Sequence, residues 1–176
     1  VGGDGGFNAA FAIPDVADYE HIPWRNGRFD PEELTTQLAT IQRAEQVLAE
    51  WRRHGGRSRR TLGFCSTIAH AEFMAGHFRG QGIDAVAVHS GPDSAPRSES
   101  LELLVDGEID VIFTVDLFNE GIDVPSIDLV LLLRPTESPV VFFQQLGRGL
   151  RRSDGKDQLI ALDLVGNHRS FLLKAR

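Results

Sequence analysis

TLGFCSTIAHAEFMAGHFRGQGIDAVAVH, Thr61 to His89, decides the architecture. TLGFCS (61–66) is a short run that is apolar on both faces. IAHAEFMAGHFRGQ (68–81) then places Ile68, Ala71, Ala75 and Phe78 at helical spacing, and DAVAVH (84–89) is short and apolar again. The spacing predicts strand, helix, strand, with the strands parallel because a whole helix lies between them.

The alternation continues downstream. SESLELLVDG (98–107) reads as a helix, DVIFTV (110–115) and DLVLLL (128–133) as strands, and QLIALDLV (158–165) as a further strand. SPVVFFQQL (138–146) begins a helix, with Ser138 as cap and Pro139 at its first position. Strands apolar on both faces, alternating with helices, predict an α/β parallel sheet covered by helices on both sides. Upstream, Asp30, Pro31 and Glu33 form a helix start, and Leu34, Leu38, Ile41, Leu48 and Trp51 recur at helical spacing until Gly55 and Gly56. The pattern predicts one long amphipathic helix over 31–54. Residues 1–29 show no period and are expected to be irregular, with Trp24 and Phe29 seeking burial. The chain thus divides into an N-terminal segment with its helix, 1–56, and an α/β domain, 57–176. Neither an internal repeat nor a low-complexity tract is visible.

A chain of 176 residues buries about 70% of its unfolded surface and needs no covalent staples. A single cysteine, Cys65, excludes an internal disulfide framework and a cysteine zinc site, and fits a reducing cytoplasm. No stretch is long and apolar enough to span a membrane, and the first residues lack the pattern of a signal peptide. The absence of a starting Met reads as a piece of a longer polypeptide. A net charge of −7 argues against a protein that coats nucleic acid generically, yet leaves room for local contacts. The cations are almost all arginine, whose planar fork suits phosphate; only Lys156 and Lys174 are lysines.

In an open parallel sheet the working residues stand at the carboxyl ends of the strands. Those ends carry Ser66, His89-Ser90-Gly91, Thr114-Val115-Asp116, Arg134-Pro135-Thr136 and Val165-Gly166-Asn167-His168. QQLGRGLRR (144–152) is a second place of interest. On a helix, Gln144, Arg148 and Arg151 fall at i, i+4 and i+7, on one face. Phe143, Leu146 and Leu150 point the other way, toward the sheet. Gly149 permits close approach to a strand, and Gly147 opens space beside the arginines. Two readings stand side by side: a solvated basic helix end favoured by the dipole, and a directed arginine pair suited to a polyphosphate.

These residues carry a family resemblance. Gln144-x-x-Gly147-Arg148-x-x-Arg151 resembles motif VI of superfamily-two helicases and translocases. TVDLFNEGIDVP (114–125) resembles their motif V, GFCST (63–67) their motif IV, and HSG (89–91) the short motif after the next strand. The order agrees over residues 60–170. LRPTESPVVFFQQLGRGLRR and LDLVGNHRSF look closest to the bacterial DNA-helicase branch related to restriction-type motors.

The resemblance implies the second RecA-like domain of a motor that holds ATP in a cleft between two such domains. Arg151 is then the arginine finger, Arg148 a second γ-phosphate contact, and Gln144 a residue that positions them. Gly121 and Asp123 approach the nucleotide, Asp123 near the ribose. Thr114, Ser66 and the backbone of His89, Ser90 and Gly91 face the phosphates of a bound strand, DNA ahead of RNA. The chain has no G-x-x-x-x-G-K-[ST] and no DEAD- or DEAH-like tetrapeptide. The phosphate loop and the Mg2+ ligands are therefore expected from a first RecA-like domain of the same polypeptide, and this chain alone is expected to be inactive.

Plainer readings accompany the sharper ones. Asp116 and Glu120 read as a cap and a solvated acid. His89 and His168 lack metal-ligand spacing and read as hydrogen-bonded structural histidines. Cys65, Trp24 and Trp51 read as core. Arg57, Arg59 and Arg60 form either a phosphate contact or a solvated turn. A non-catalytic RecA-like scaffold, with the 31–54 helix and IPWRNGRF as interface, is the competing function. A dinucleotide enzyme is weaker, because no G-x-G-x-x-G follows the first strand.

Overall fold

A computed structural model describes residues 9–12, 24–25, 28–115, 127–135 and 160–164. Its strands are β1 (Ala9–Ala12), β2 (Trp24–Arg25), β3 (Arg28–Phe29), β4 (Thr61–Phe64), β5 (Ala85–Val88), β6 (Val111–Thr114), β7 (Leu129–Leu132) and β8 (Ile160–Asp163). Its α-helices are α1 (Pro31–Leu38), α2 (Ile41–Arg53), α3 (Ile68–Gly80) and α4 (Arg97–Val105). Among the described residues, six strands form one sheet in the order β1-β8-β7-β4-β6-β5. Every pairing in it is parallel. β2 and β3 make a separate antiparallel pair.

Two apolar layers sandwich the sheet. One gathers Val47, Trp51, Ala71, Met74 and Phe78 of α2 and α3 over Phe113, Leu129, Leu131 and Leu162. The other packs Leu104 of α4 over Leu62, Phe64, Ile112, Val130 and Leu132. Alternate residues of the same strands serve opposite layers, which is why those strands are apolar throughout. Gly63 of β4 makes a close approach. A Cβ built there lies 2.6 Å from Cδ1 of Phe113. The Phe113 ring meets Phe78 edge-on at 5.0 Å, and Phe78 meets Trp51 at 5.6 Å. Trp51 closes the column by donating from Nε1 to the Thr61 hydroxyl at 3.0 Å.

Three strands begin alike. Ile83-Asp84, Ile109-Asp110 and Ile127-Asp128 stand directly before β5, β6 and β7, with each isoleucine buried. The aspartates tie the amino edge together. Asp110 accepts the Asp84 N–H (3.1 Å) and pairs with Arg57 (3.3 Å). Asp128 accepts the Arg60 N–H at 3.0 Å. Arg57 also donates to the Gly82 carbonyl, and Arg60 to that of Val105 (2.8 Å). Arg57 and Arg60 thus work within the fold, at the edge opposite the carboxyl ends.

The free side of β5 is covered rather than bare. Arg79 donates to the Ala85 carbonyl at 3.1 Å, the Ala95 N–H to the Ala87 carbonyl at 3.0 Å, and the His89 N–H to the Ser94 hydroxyl at 2.9 Å.

Several local expectations are corrected. The single helix over 31–54 is two helices. Thr40 takes extended backbone at φ −114 and ψ 150, and its hydroxyl caps the Arg43 N–H at 3.3 Å. Thr35 and Thr36 bond back to the carbonyls of Pro31 and Glu32. Such side-chain bonds compete with helix propagation, and a run of threonines supplied them. The new start turns Ile41 outward, 63% exposed. Ile68 likewise leaves the expected apolar face of α3 and is 40% exposed, its place taken by His70 and Met74. Residues 1–29 are not wholly irregular, since β1 lies beside β8 and β2 pairs with β3. Four residues are too few to display a period, and the partner of β1 is far along the chain. The sequence Asn26-Gly27 between β2 and β3 is a hairpin signal. The expected burial of Trp24 and Phe29 falls on side chains outside the described residues, as does the helix expected from Ser138.

Candidate nucleic-acid interface

The parallel register brings the strand ends into one row. Phe64 pairs with Thr114 and with Leu132, Thr114 with Val88, and Leu132 with Asp163. Whatever follows each strand therefore emerges on the same edge. Ser66, His89 to Gly91 and Thr114 all stand there, as the strand ends predict.

The loop after β4 is built by hydroxyls. Thr67 caps α3 by accepting the His70 N–H at 3.1 Å, and its oxygen lies 2.7 Å from that of Thr35. Thr35 spends its one proton on the Pro31 carbonyl at 2.8 Å. The Thr67 proton must then point at Thr35, giving a one-way chain from His70 N–H through Thr67 and Thr35 to Pro31. This chain ties α1 to the start of α3.

Two histidines hold the two loops by the same device. The Ser66 N–H donates to Nδ1 of His70 at 3.2 Å, with the Ser66 hydroxyl equally close. The Gly91 N–H donates to Nδ1 of His89 at 3.0 Å. A backbone N–H only donates, so each Nδ1 is an acceptor and each ring carries its proton on Nε2. For His89 that proton goes to Glu72 Oε1 at 2.6 Å. His70 is buried and lies near Arg43. Burial first, and the arginine charge second, push its pKa down to about 3. Burial also lowers the Arg43 pKa to about 10, which leaves it charged at neutral pH.

The expected contacts differ in what they expose. Ser90 is exposed, while Ser66 and Gly91 are half-buried. The His89 side chain is 1% exposed, occupied by Glu72 and Gly91 as a structural histidine would be. Thr114 is buried, and its carbonyl accepts the Cys65 N–H at 2.8 Å. Gly91 rests against α3, because a Cβ there lies 3.3 Å from Ile68 Cδ1. Cys65 is wholly buried, and desolvation raises its thiol pKa, partly offset by the positive charge of Arg134. Arg134, after β7, donates to the Val115 carbonyl at 3.2 Å and so spans the end of β4.

Gln144, Arg148, Arg151, Gly121, Asp123, Asp116, Glu120 and His168 lie outside the described residues. Among the described residues, no three of His, Cys, Asp and Glu gather into a metal site. No helix among them is long and apolar enough to cross a membrane. Sequence reasoning passed over Thr35, His70, Glu72 and the bond made by Arg134. Only Thr67, three residues before His70 and just ahead of an apolar run, carried a readable signal, that of an N-cap.

The family described as helicase conserved C-terminal domain matches residues 39–153. A putative ATP-dependent helicase, IRC3 of Saccharomyces cerevisiae, is 35% identical over 106 residues, which are 60% of this chain and 15% of that protein. UvrABC system protein B of Acaryochloris marina is 31% identical over 151 residues, 83% of this chain and 22% of that protein. The chain therefore spans less than a quarter of either relative. Among solved structures, the Escherichia coli DEAD-box protein SrmB superposes with TM-score 0.60 at 18% identity, covering 96% of this chain and 82% of that one. The Hef helicase domain of Pyrococcus furiosus gives TM-score 0.51 at 24% identity, covering 80% and 29%. At those identities the two structures speak for the RecA-like fold alone.

Proposed function

The chain belongs to the helicase conserved C-terminal domain family, and on that premise we propose that it is the second motor domain, residues 57–176 led in by 1–56, of an ATP-dependent nucleic-acid helicase or translocase. Arg151 serves as the arginine finger, Arg148 as a second γ-phosphate contact and Gln144 as their positioning residue. Gly121 and Asp123 meet the nucleotide. Ser66 and the exposed Ser90 form part of the nucleic-acid track, on an edge shaped by the turn of His89 and Gly91 and by the buried Thr114 beneath it. The single observation that supports this reading most is the register, which ends β4, β5 and β6 level, so that Ser66, Ser90 and Thr114 stand on one edge of one parallel sheet.

ATP is the substrate, and guanidinium groups are suited to its γ-phosphate charge rather than to Mg2+. The metal is accordingly assigned to a first RecA-like domain of the same polypeptide. DNA is the proposed track ahead of RNA, on the resemblance carried by 133–152 and 162–171. The cytoplasm is the proposed compartment, consistent with one cysteine that is buried. The scaffold alternative loses ground because the apolar side of α2 is spent inside the fold, with Val47, Leu48 and Trp51 buried.

The test is Arg151→Ala in a polypeptide joining this chain to a phosphate-loop domain. ATP binding should persist while nucleic-acid-stimulated turnover falls about 10³-fold or more. Unchanged turnover sinks the finger assignment. The chain alone should hydrolyse no ATP above background, and robust hydrolysis would overturn the divided site.

A further inference from the structure

We infer that Glu72 is a positioning residue for nucleic-acid engagement, acting through His89 on the Ser90-Gly91 turn; the inference rests on the track reading above. The relay has three links. Glu72, partly exposed on α3, accepts the Nε2 proton of His89 at 2.6 Å. That bond fixes the tautomer, so Nδ1 keeps its lone pair. The lone pair accepts the Gly91 N–H at 3.0 Å. The ring is 1% exposed and reaches no ligand itself. A side chain at Gly91 would crowd the ring, since a Cβ would lie 3.0 Å from Nδ1. The Gly91 amide is thus consumed internally, and the exposed Ser90 is the group this turn has left for a phosphate.

Without the Glu72 acceptor, the ring is free to move its proton to Nδ1. Two donors, Nδ1–H and the Gly91 N–H, then face each other, and the turn opens. Glu72 therefore helps the domain hold a polyanion through its acceptor oxygen, in spite of its negative charge. This sets positioning against plain electrostatics. Removing a carboxylate near a phosphate track should tighten binding by Coulomb's law, whereas loss of the relay should weaken it.

The experiment uses this chain at low salt with fluorescein-labelled single-stranded oligothymidylate and oligouridylate. Anisotropy measures Kd, and long-range proton–nitrogen spectra report the His89 tautomer and the Gly91 amide. Glu72→Ala should raise Kd about fivefold, the equivalent of one neutral hydrogen bond, and shift both signals. Glu72→Gln keeps an acceptor oxygen and should bind as well as the parent or better. His89→Asn, whose side-chain oxygen overlies Nδ1, should retain more binding than His89→Ala. Ser90→Glu tests the track itself by placing an anion at the exposed tip. If Ser90→Glu weakens binding while Glu72→Ala leaves Kd or the tautomer unchanged, the relay is wrong and the track stands. If the parent chain binds neither oligonucleotide, or Ser90→Glu changes nothing, the track reading fails and the relay with it.

Discussion

His70 shows how one buried side chain links stability to pH. Its folded pKa lies near 3, against about 6.5 for an unperturbed histidine. Between those values the unfolded chain binds a proton that the folded chain refuses, so stability falls as pH drops from about 6.5 toward 3. The slope from this residue approaches about 1.4 kcal/mol per pH unit below pH 6. Urea midpoints from pH 7 to 4.5 should fall accordingly, and His70→Gln should flatten that decline. An equally steep decline in the variant would assign the effect to other groups. Arg43 contributes to the shift by repelling the imidazolium, so Arg43→Leu should raise the folded pKa and reduce the total stability lost on acidification, while the onset, set by the unfolded chain, stays at about pH 6.5. Neither residue's role is visible in sequence. IAHAEF reads as an ordinary helix start, and the burial of His70 depends on α2 packing against it.

At the level of elements, the strands were legible because burial on both faces makes them continuously apolar, and helix starts because caps are chemically distinct. Helix continuity was not legible at 39–40, where apolar spacing runs on unbroken while the threonine hydroxyls end the helix. The repeated Ile-Asp before β5, β6 and β7 was readable in retrospect. Its meaning comes from the lateral bonds those aspartates make, which join segments distant in sequence. β4 offers the sharpest element-level test. Gly63→Ala places a methyl group against the Phe113 ring and should cost about 1–3 kcal/mol. Chemical denaturation reads it, and an unchanged midpoint would mean that the aromatic column yields freely. The companion Phe113→Leu should restore part of the loss in the double variant, since it removes the ring the methyl meets.

Across the whole molecule, sequence order predicted the doubly covered parallel sheet and the single edge at which its strands end. It did not foresee which of those residues spend their polar groups inside the fold. Ser66, His89 and Thr114 were chosen by their place after strands, and place alone does not say where a side chain turns. The reach of Arg57 and Arg60 to neighbouring strand starts was likewise hidden, because their partners lie 53 and 68 positions onward. Motif order therefore carried the family, while the burial and internal bonding of His89 and Thr114 depend on packing that no motif spells out.

The cover along β5 bears on how the domain survives in a crowded cell. An open strand edge recruits strands from other chains and seeds aggregates. Here Arg79 and the 94–95 segment occupy the outward carbonyls of Ala85 and Ala87. Arg79→Ala should uncover the first of these and shorten the lag of agitation-induced thioflavin-positive aggregation, with little change in secondary structure by circular dichroism. An unaltered lag would show that Arg79 does not guard this flank. The same guard makes β5 a poor site for attaching a fused strand or a strand-mimicking peptide, so engineered assemblies should be joined elsewhere on the domain.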